Sequence, residues 1–130
     1  MAGEHDLDIL ISSMEPTVRP GRFVFVTVDQ STATTLPAAV IVREDEGVTV
    51  VLEETDADAR SLPYDFVAGW ITLRVHSALD AVGLTAAFSG ALAERGISAN
   101  VVAGYYHDHI LVPIDDVDRA VAALRELAAS

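Results

Sequence analysis

The run "ITLRVHSALDAVGLTAAFSGALAERGISANVVAGYYHDHILVP", Ile71–Pro113, contains the clearest succession of secondary-structure patterns in the chain. The wider segment Phe66–Val75 is rich in β-branched and aromatic side chains and is predicted to be a strand. A helix follows the loop "HSALDAVG", and Arg95–Gly96 is typical of its end. The apolar residues at helical spacing are Leu84, Phe88, Ala91 and Leu92. The segments "ISANVVAG" and "HILVPI" predict two further strands, joined by a turn at "YYHD".

A second amphipathic helix is predicted after Pro113. Asp115 is its expected N-cap, and the acidic first turn suits the helix dipole. Its apolar stripe consists of Val117, Ala120, Val121, Leu124 and Leu127. The resulting order, β-α-β-β-α, lacks one strand of a ferredoxin-like unit. The missing sheet edge is therefore expected to stay open, or to be filled by the first half of the chain or by a partner, which favours a homodimer.

The first half, Met1–Asp65, is less regular. "RFVFVTV" predicts a strand, and "AAVIVR" and "VTVVLEE" predict a hairpin about "EDEG", where Gly47 can take a positive φ. "TDADARSL" predicts a short helix capped by Thr55 or Asp56, and "LDILISSM" suits a strand or a short helix. "EPTVRPG" contains two prolines, which restrict any crossover helix. This half can be read as a degenerate copy of the second, Phe66–Ser130, although no side-chain repeat demonstrates it.

The composition limits the classes of function. With 51% apolar residues in 130, the chain is expected to form one domain or two small ones rather than a disordered protein. No apolar run approaches the ~18–20 residues that span a bilayer, and the acidic start lacks a signal peptide's basic region. The net charge of −12 argues against nucleic acids and anionic membranes as partners. The absence of cysteine is consistent with a cytoplasmic protein.

Two patterns of catalytic residue types are present and weak. His107 and His109 would share a face of a strand, as H-x-H metal ligands do, but a third ligand is missing because Asp108 points to the other face. The segment "VHSALD" contains the residue types of a hydrolytic triad, but sequence neighbours rarely hold triad geometry. Neither pattern predicts an enzyme, and we expect no catalytic residue, metal or cofactor.

The topology predicts a ligand pocket. In a β-α-β-β unit, the loop before the first helix and the end of the second strand lie at the same end of the sheet. This places "HSALDAVG" beside "AGYYHD". The first offers backbone N–H groups at a helix N-terminus, which suit a carboxylate. The second offers Asp108, which suits an ammonium or guanidinium group, and two aromatic side chains as walls. An anion end and a cation end are what a free amino acid requires.

The run Ile71–Pro113 resembles the ACT-domain family, and most of all small bacterial proteins built from two tandem ACT-like units. The resemblance is specific over Phe66–Arg125, and "MEPTVRPGRFVFVTV" and "REDEGVTVVL" extend it more loosely to the first half. It implies an α+β fold of two ferredoxin-like β-α-β-β-α-β units, residues 1–65 and 66–130, with antiparallel sheets, helices on one face and a degenerate first unit. The family also implies amino-acid binding, regulation of amino-acid metabolism and side-by-side pairing.

The segment "HDHILVP" also resembles the "TD-x-ILV" segment of the CASTOR arginine sensors, whose aspartate contacts the bound amino acid. The matching position is Asp108. The threonine and phenylalanine before it there match Gly104 and Tyr105, so a hydroxyl is absent here and arginine is not implied. The resemblance also places Gly83 at the family's glycine near the helix start. The predicted ligand-binding residues are His76, Ser77, Val82, Gly83, Leu84, Gly104, Tyr105 and Asp108.

Together these observations predict a non-catalytic, amino-acid-binding regulatory or sensor module. Val82 and Gly83 would offer N–H groups to the ligand carboxylate, Asp108 would hold its ammonium group, and Tyr105 and His76 would line the wall. The regulated partner is expected to be a separate metabolic enzyme. The alternative is an interaction module whose pocket does not function and whose sheet edge binds such an enzyme.

Overall fold

The structure, a computed structural model, describes residues 3–130. Its elements are α1 Leu7–Ser13, β1 Pro16–Val28, α2 Gln30–Ala33, β2 Val40–Arg43, β3 Val48–Glu53, α3 Glu54–Ala59, β4 Val67–Leu73, α4 Leu84–Glu94, β5 Asn100–Ala103, β6 Asp108–Pro113, a 3-10 turn Ile114–Asp116, and α5 Val117–Ala129. Two compact units result: the larger contains the described residues up to Pro20 and Gly69–Ser130, and the smaller contains Gly21–Ala68. None of the helices in this part of the chain is both long and apolar enough to cross a membrane.

The larger unit contains a sheet in the strand order β1-β4-β6-β5. Strands β5 and β6 are antiparallel, with Asn100 opposite Leu111 and Ala103 opposite Asp108. The elements β4-α4-β5-β6-α5 confirm the predicted order of the second half. The fourth strand of the ferredoxin-like arrangement is the Pro16–Pro20 part of β1. The missing strand is therefore supplied by the first half of the chain, which was one of the three predicted alternatives. This edge no longer argues for a homodimer, and dimerisation stays a prediction that rests on the family resemblance.

Strand β1 passes through "EPTVRPG", where the two prolines were expected to restrict any crossover helix. Proline is compatible with extended backbone at the start of a strand or on an edge strand, where the ladder does not need its N–H group. Pro16 begins β1, and Gly21, with φ 113°, follows Pro20. Next to this strand, the backbone N–H of Arg74 donates to the Glu15 carbonyl at 2.8 Å. The two prolines thus disfavour a helix in this segment but are compatible with strand β1.

The core of the larger unit lies between its sheet and helices α1, α4 and α5. The segment "LDILISSM", predicted as a strand or a short helix, forms α1, whose N-terminus is capped by Asp6 through the N–H of Ile9 at 3.2 Å. The fully buried side chains include Leu10, Ile71, Leu73, Phe88, Leu92, Ile110 and Leu124. Helix α5 is preceded by the 3-10 turn, and its N-cap is Asp116 with no side-chain bond, so the prediction of Asp115 as the cap was wrong.

The smaller unit contains the antiparallel strands β2-β3-β1. The predicted hairpin is confirmed, and Glu44 and Gly47 close it with reciprocal backbone bonds of 3.0 and 3.3 Å. Gly47 does not have a positive φ, so that prediction was wrong. A Cβ at this position would lie 2.8 Å from Thr27 Oγ1. Glycine is therefore required here by the close approach of Thr27 and not by an unusual backbone conformation.

Two helices of the smaller unit differ from the predictions. Helix α3 is present as predicted, but its N-cap is Glu53 without a side-chain bond, so neither Thr55 nor Asp56 caps it. Helix α2 was not predicted, although Asp29 caps it by accepting the N–H of Thr32 at 2.8 Å. Its four residues are too few for a periodic apolar pattern.

The compact units do not follow the predicted division of the chain into residues 1–65 and 66–130. Residues up to Pro20 pack with the second half because α1 supplies core side chains to it and β1 supplies a strand. The predicted boundary after Asp65 stays a prediction about the sequence repeat. The larger compact unit combines residues from both sequence halves.

Candidate functional site

A small cavity lies where the loop between β4 and α4 meets the β5–β6 turn. The turn is closed by the N–H of Gly104, which donates to the His107 carbonyl at 2.9 Å. The cavity has a volume of about 80 Å³ and is lined by Ser77, Ala78, Leu79, Ala81, Leu84, Thr85, Ala103, Gly104 and Asp108. The structure thus brings together the two segments that topology predicted to be neighbours.

Asp108 is the charged residue of this cavity. It is 9% exposed and shares its face of β6 with the core residues Ile110 and Val112. Within residues 3–130, its carboxylate has no hydrogen bond and no ion pair. Burial raises the pKa of the Asp108 carboxyl above its usual value, while positive charge on His109 and His107 acts in the opposite direction. A buried carboxylate without a partner is unfavourable by itself and is suited to accept hydrogen bonds from a cation.

The N-terminus of α4 lies at the same cavity. Gly83 is its N-cap with φ 102°, and no side chain caps the helix. In the described part of the chain, the N–H groups of Leu84, Thr85 and Ala86 have no partner. The helix dipole and these free donors favour an anionic group here. Leu84 and Thr85 line the cavity together with Asp108, so donors for an anion and an acceptor for a cation meet at one site.

The predicted site residues divide into two sets. Ser77, Leu84, Gly104 and Asp108 line the cavity. The other four, Val82, Gly83, His76 and Tyr105, do not line it, and their roles in binding stay predictions.

Each of these four residues has a different environment. Val82 is 83% exposed, and a Cβ on Gly83 would lie 3.0 Å from Leu7 Cδ2 of α1. The His76 ring lies 5.7 Å from that of Tyr106, and Tyr105 is exposed at the tip of the turn. The N–H groups predicted to bind the carboxylate were those of Val82 and Gly83. The free N–H groups at the cavity belong instead to the first turn of α4, at Leu84 and Thr85.

Sequence reasoning missed five other residues of the cavity, Ala78, Leu79, Ala81, Thr85 and Ala103. Alanine and leucine in a loop carry no motif, so nothing in the sequence separated them from ordinary packing. Thr85 could have been found, because a hydroxyl in the first turn of a helix lies beside the free N–H groups of that turn.

The two catalytic patterns lack the geometry they require. His109 Nδ1 lies 3.0 Å from Thr72 Oγ1, which also accepts the Nε1–H of Trp70 at 3.1 Å, whereas Asp108 faces the helices. No group of three or more His, Cys, Asp or Glu side chains that could hold a metal occurs within residues 3–130. Asp80 accepts from His5 Nε2 at 2.8 Å, so its observed histidine partner is not His76. Burial, with a smaller contribution from the charge of His107, lowers the pKa of His109.

A wider groove of about 420 Å³ lies between α1 and the end of α5. Its lining consists of Asp8, Ile11, Ser12, Leu127 and Ser130. Asp8 is an exposed side chain, so its charge is already solvated and gains little from a ligand. The smaller cavity is the better candidate because Asp108 is only 9% exposed and its carboxylate has no protein partner within residues 3–130.

Two family models match the sequence of this chain. One, described as ACT domain, matches residues 2–69, and another with the same description matches residues 66–126. The chain belongs to the ACT-domain family. ACT domains are regulatory modules, and the two matches confirm the predicted tandem arrangement and the α+β, ferredoxin-like fold class.

Solved structures share this ACT fold. A Vibrio cholerae protein of unknown function, described as a "possible transport protein", is 48% identical with a TM-score of 0.86, over 94% of this chain and 95% of that one. A protein from Agrobacterium tumefaciens is 18% identical with a TM-score of 0.65, over 88% and 89%. The regulatory subunit of aspartate kinase from Thermus thermophilus, in ligand-free form, is 8% identical with a TM-score of 0.65, over 88% and 96%.

The last two similarities are at identities that support the fold alone. A search among curated proteins found no match.

Proposed function

We propose that this protein is a non-catalytic regulatory module that binds a free amino acid between Asp108 and the first turn of α4. The observation that carries the proposal is the largely buried residue Asp108, which lines a cavity and whose carboxylate has no protein partner within the described chain. An α-ammonium group would supply the missing hydrogen bonds and charge. The N–H groups at the start of α4 would receive the α-carboxylate.

The size of the cavity favours a small amino acid. Its volume of about 80 Å³ is well below the ~300–1,000 Å³ typical of sites for drug-sized ligands. Apart from Asp108, the lining consists of the hydroxyl-bearing residues Ser77 and Thr85 and of small or apolar residues. We therefore propose glycine, alanine and serine as the first ligands to test.

A thermal-shift screen against the twenty amino acids tests this function. A ligand at ~100 times its Kd adds about 2.7 kcal/mol to the free energy of unfolding. For a domain of this size, each kcal/mol raises Tm by roughly 3–6 °C. We expect such a shift with one or a few small amino acids and its loss in the Asp108→Asn variant. Losing a hydrogen bond between charged groups costs about 1.5–3 kcal/mol, or ~10- to 150-fold in Kd.

The matched control is Asp45→Asn, which removes the same charge from the exposed tip of the β2–β3 hairpin. It should leave the amino-acid response unchanged. Absence of a shift with all twenty amino acids, or an undiminished shift in Asp108→Asn, would contradict the proposal.

One observation favours a second function, that of an interaction module. Strand β2 lies at a sheet edge of the smaller unit, and its side chains Ile41 and Val42 are 40% and 48% exposed. Exposed apolar edge strands can pair with another chain. If no amino acid binds, this edge becomes the preferred site for a metabolic enzyme. Co-purification of one defined enzyme that is lost with Ile41→Lys, but retained with Asp45→Asn, would support that alternative.

The regulated partner proposed for the amino-acid-binding module is likewise a metabolic enzyme. A homodimer and a cytoplasmic location are proposed with it, on the basis of the family resemblance. Sedimentation of the purified protein and fractionation of its native cell test these two points separately.

A further inference from the structure

The loop between β4 and α4 supplies much of the lining of the candidate cavity, yet it has few backbone bonds of its own. Those within it are local: Ser77 N–H to the Val75 carbonyl at 3.0 Å, and Ala81 N–H to the Ala78 carbonyl at 3.0 Å. Apart from the Arg74 N–H, which donates to the Glu15 carbonyl at the start of the loop, its backbone bonds to residues before β4 are made with Glu4 of the segment Gly3–Leu7. The N–H of Glu4 donates to the His76 carbonyl at 2.9 Å, and the N–H of Ala78 donates to the Glu4 carbonyl at 3.1 Å. Glu4 and Ser77 thereby form a parallel bridge.

The residues on both sides of this bridge lie in close contact with the loop. A Cβ on Gly3, which has φ 130°, would lie 2.6 Å from the backbone nitrogen of Ala78. Only glycine fits that position without displacing the segment or the loop. At the other end, Leu7 packs on Gly83, the N-cap of α4. His5 Nε2 lies 2.8 Å from Asp80 Oδ1 between these two contacts.

The segment itself is anchored at its far end. Asp6 caps α1, and Leu10 of α1 is fully buried in the core of the larger unit. The segment is thus joined at one end to α1 and, through Glu4, bonded to the backbone of His76 and Ala78 in the cavity loop. Residues Ser77, Ala78, Leu79 and Ala81, which the bridge holds in place or adjoins, all line the cavity.

We infer that Gly3–Leu7 is a positioning strap that holds the cavity loop in the conformation able to bind a ligand. This inference rests on the proposed function for its ligand, and it adds how that site is controlled. A docked strap preorganises Ser77–Ala81, so affinity is higher with the strap docked than with it released. By linkage, a ligand in the cavity must favour the docked strap by the same factor. Anything that displaces Gly3–Leu7 would therefore weaken binding without touching the ligand.

The contacts between Gly3–Leu7 and the loop differ in strength, and this difference determines which substitution tests the strap. The His5–Asp80 pair is exposed, at 58% and 85% for the two side chains, and such pairs change an equilibrium by at most about fivefold. Gly3→Ala is sharper, because its methyl group would collide with backbone atoms of Ala78 at a positive φ. Gly90→Ala is the matched control, because a Cβ there has no heavy atom within 4 Å.

The first experiment measures amide hydrogen exchange of the whole chain without any ligand. In Gly3→Ala, the amides of His76–Gly83 should lose protection, Ala78 most of all, while those of β4 and β6 keep theirs. In Gly90→Ala, the loop should keep its protection. Unchanged exchange in the loop of Gly3→Ala would overturn the strap. This measurement does not depend on amino-acid binding, so it separates failure of the strap from failure of the proposed function.

The second experiment adds a mixture of glycine, L-alanine and L-serine at millimolar concentration. The mixture should increase protection of the Ala78 amide in the wild type, and the apparent affinity of Gly3→Ala should fall by about tenfold, within the usual range for coupled sites. Equal affinity in Gly3→Ala and wild type would overturn the inference. His5→Gln, which can still donate to Asp80, should retain more affinity than His5→Ala, an order that simple loss of folding would not produce.

Discussion

At the scale of single residues, Asp108 combines a cost in stability with a candidate role in binding. Its carboxyl is buried on the helix side of β6, and its pKa is raised by that burial. An ionised acid without a partner in such a position opposes folding. Residues that destabilise the free protein commonly belong to binding sites, because a ligand later supplies the partner that the fold lacks. Asp108 is thus the residue at which stability and binding should respond in opposite directions.

Replacing Asp108 with asparagine should therefore stabilise the protein at neutral pH. Burial raises the folded-state pKa of the Asp108 carboxyl above its ordinary value of 3.8, so the folded state holds this proton more tightly than the unfolded state. The wild type loses that contribution as pH rises through the folded-state pKa and keeps it fully below 3.8. Asparagine does not titrate. The variant's advantage should be greatest near neutral pH and should vanish below 3.8.

Denaturant unfolding of wild type and Asp108→Asn at several pH values measures this difference. Asp45→Asn serves as the control, since it removes one negative charge from an exposed position of a chain with net charge −12. Its effect should be small at every pH, typically within about 0.5 kcal/mol. An Asp108→Asn variant less stable than wild type at neutral pH would show that the carboxylate has a partner in the folded protein.

At the scale of elements, local sequence patterns predicted the second half well and the first half less well. Helix α4 and the β5–β6 hairpin carry their own signals, in the spacing of Leu84, Phe88 and Leu92 and in the Arg95–Gly96 end, where Gly96 has φ 69°. The first half depends on tertiary contacts. The extended course of β1 through two prolines and the four-residue helix α2 are decided by neighbouring strands and by one cap, which periodicity does not detect.

The packing of α5 on β4 gives a test at this scale. A Cβ on Gly69 of β4 would collide with Val117 Cγ2 at the start of α5. Gly69→Ala should force the helix away from the sheet and lower the free energy of unfolding by about 1–3 kcal/mol, as overpacking does. In contrast, Gly90→Ala adds a methyl group in open space on α4 and should raise it by about 0.5–1 kcal/mol.

Thermal or denaturant unfolding of these two alanine variants measures both changes in the free energy of unfolding. They make the same chemical change and differ in what the methyl group meets. Destabilisation of similar size in both would mean that the approach of Val117 to Gly69 does not account for the response.

At the scale of the whole molecule, the sequence identified the ACT fold and four of the cavity residues, but not the interleaving of the two halves. Ser77, Leu84, Gly104 and Asp108 lie in segments that the topology brings to one end of a sheet. Interleaving is different because α1 and the start of β1 are remote in sequence from the unit they complete. Hydrophobic periodicity specifies which face of an element is buried, but it does not specify the sheet on which that element packs.

The interleaved packing predicts that residues 66–130 do not fold alone. The larger unit uses Leu10 and Met14, which are 0% and 3% exposed in its core, and the Pro16–Pro20 part of β1 as a strand. Each buried apolar side chain contributes about 1.5–3 kcal/mol, so the loss of two removes roughly 3–6 kcal/mol. That is a large share of the ~5–15 kcal/mol that stabilises a typical domain. The fragment should therefore unfold without a cooperative transition, by circular dichroism in denaturant, and adding the peptide of residues 3–20 should restore one. A cooperative transition of the fragment alone would show instead that each sequence half is an independent folding unit.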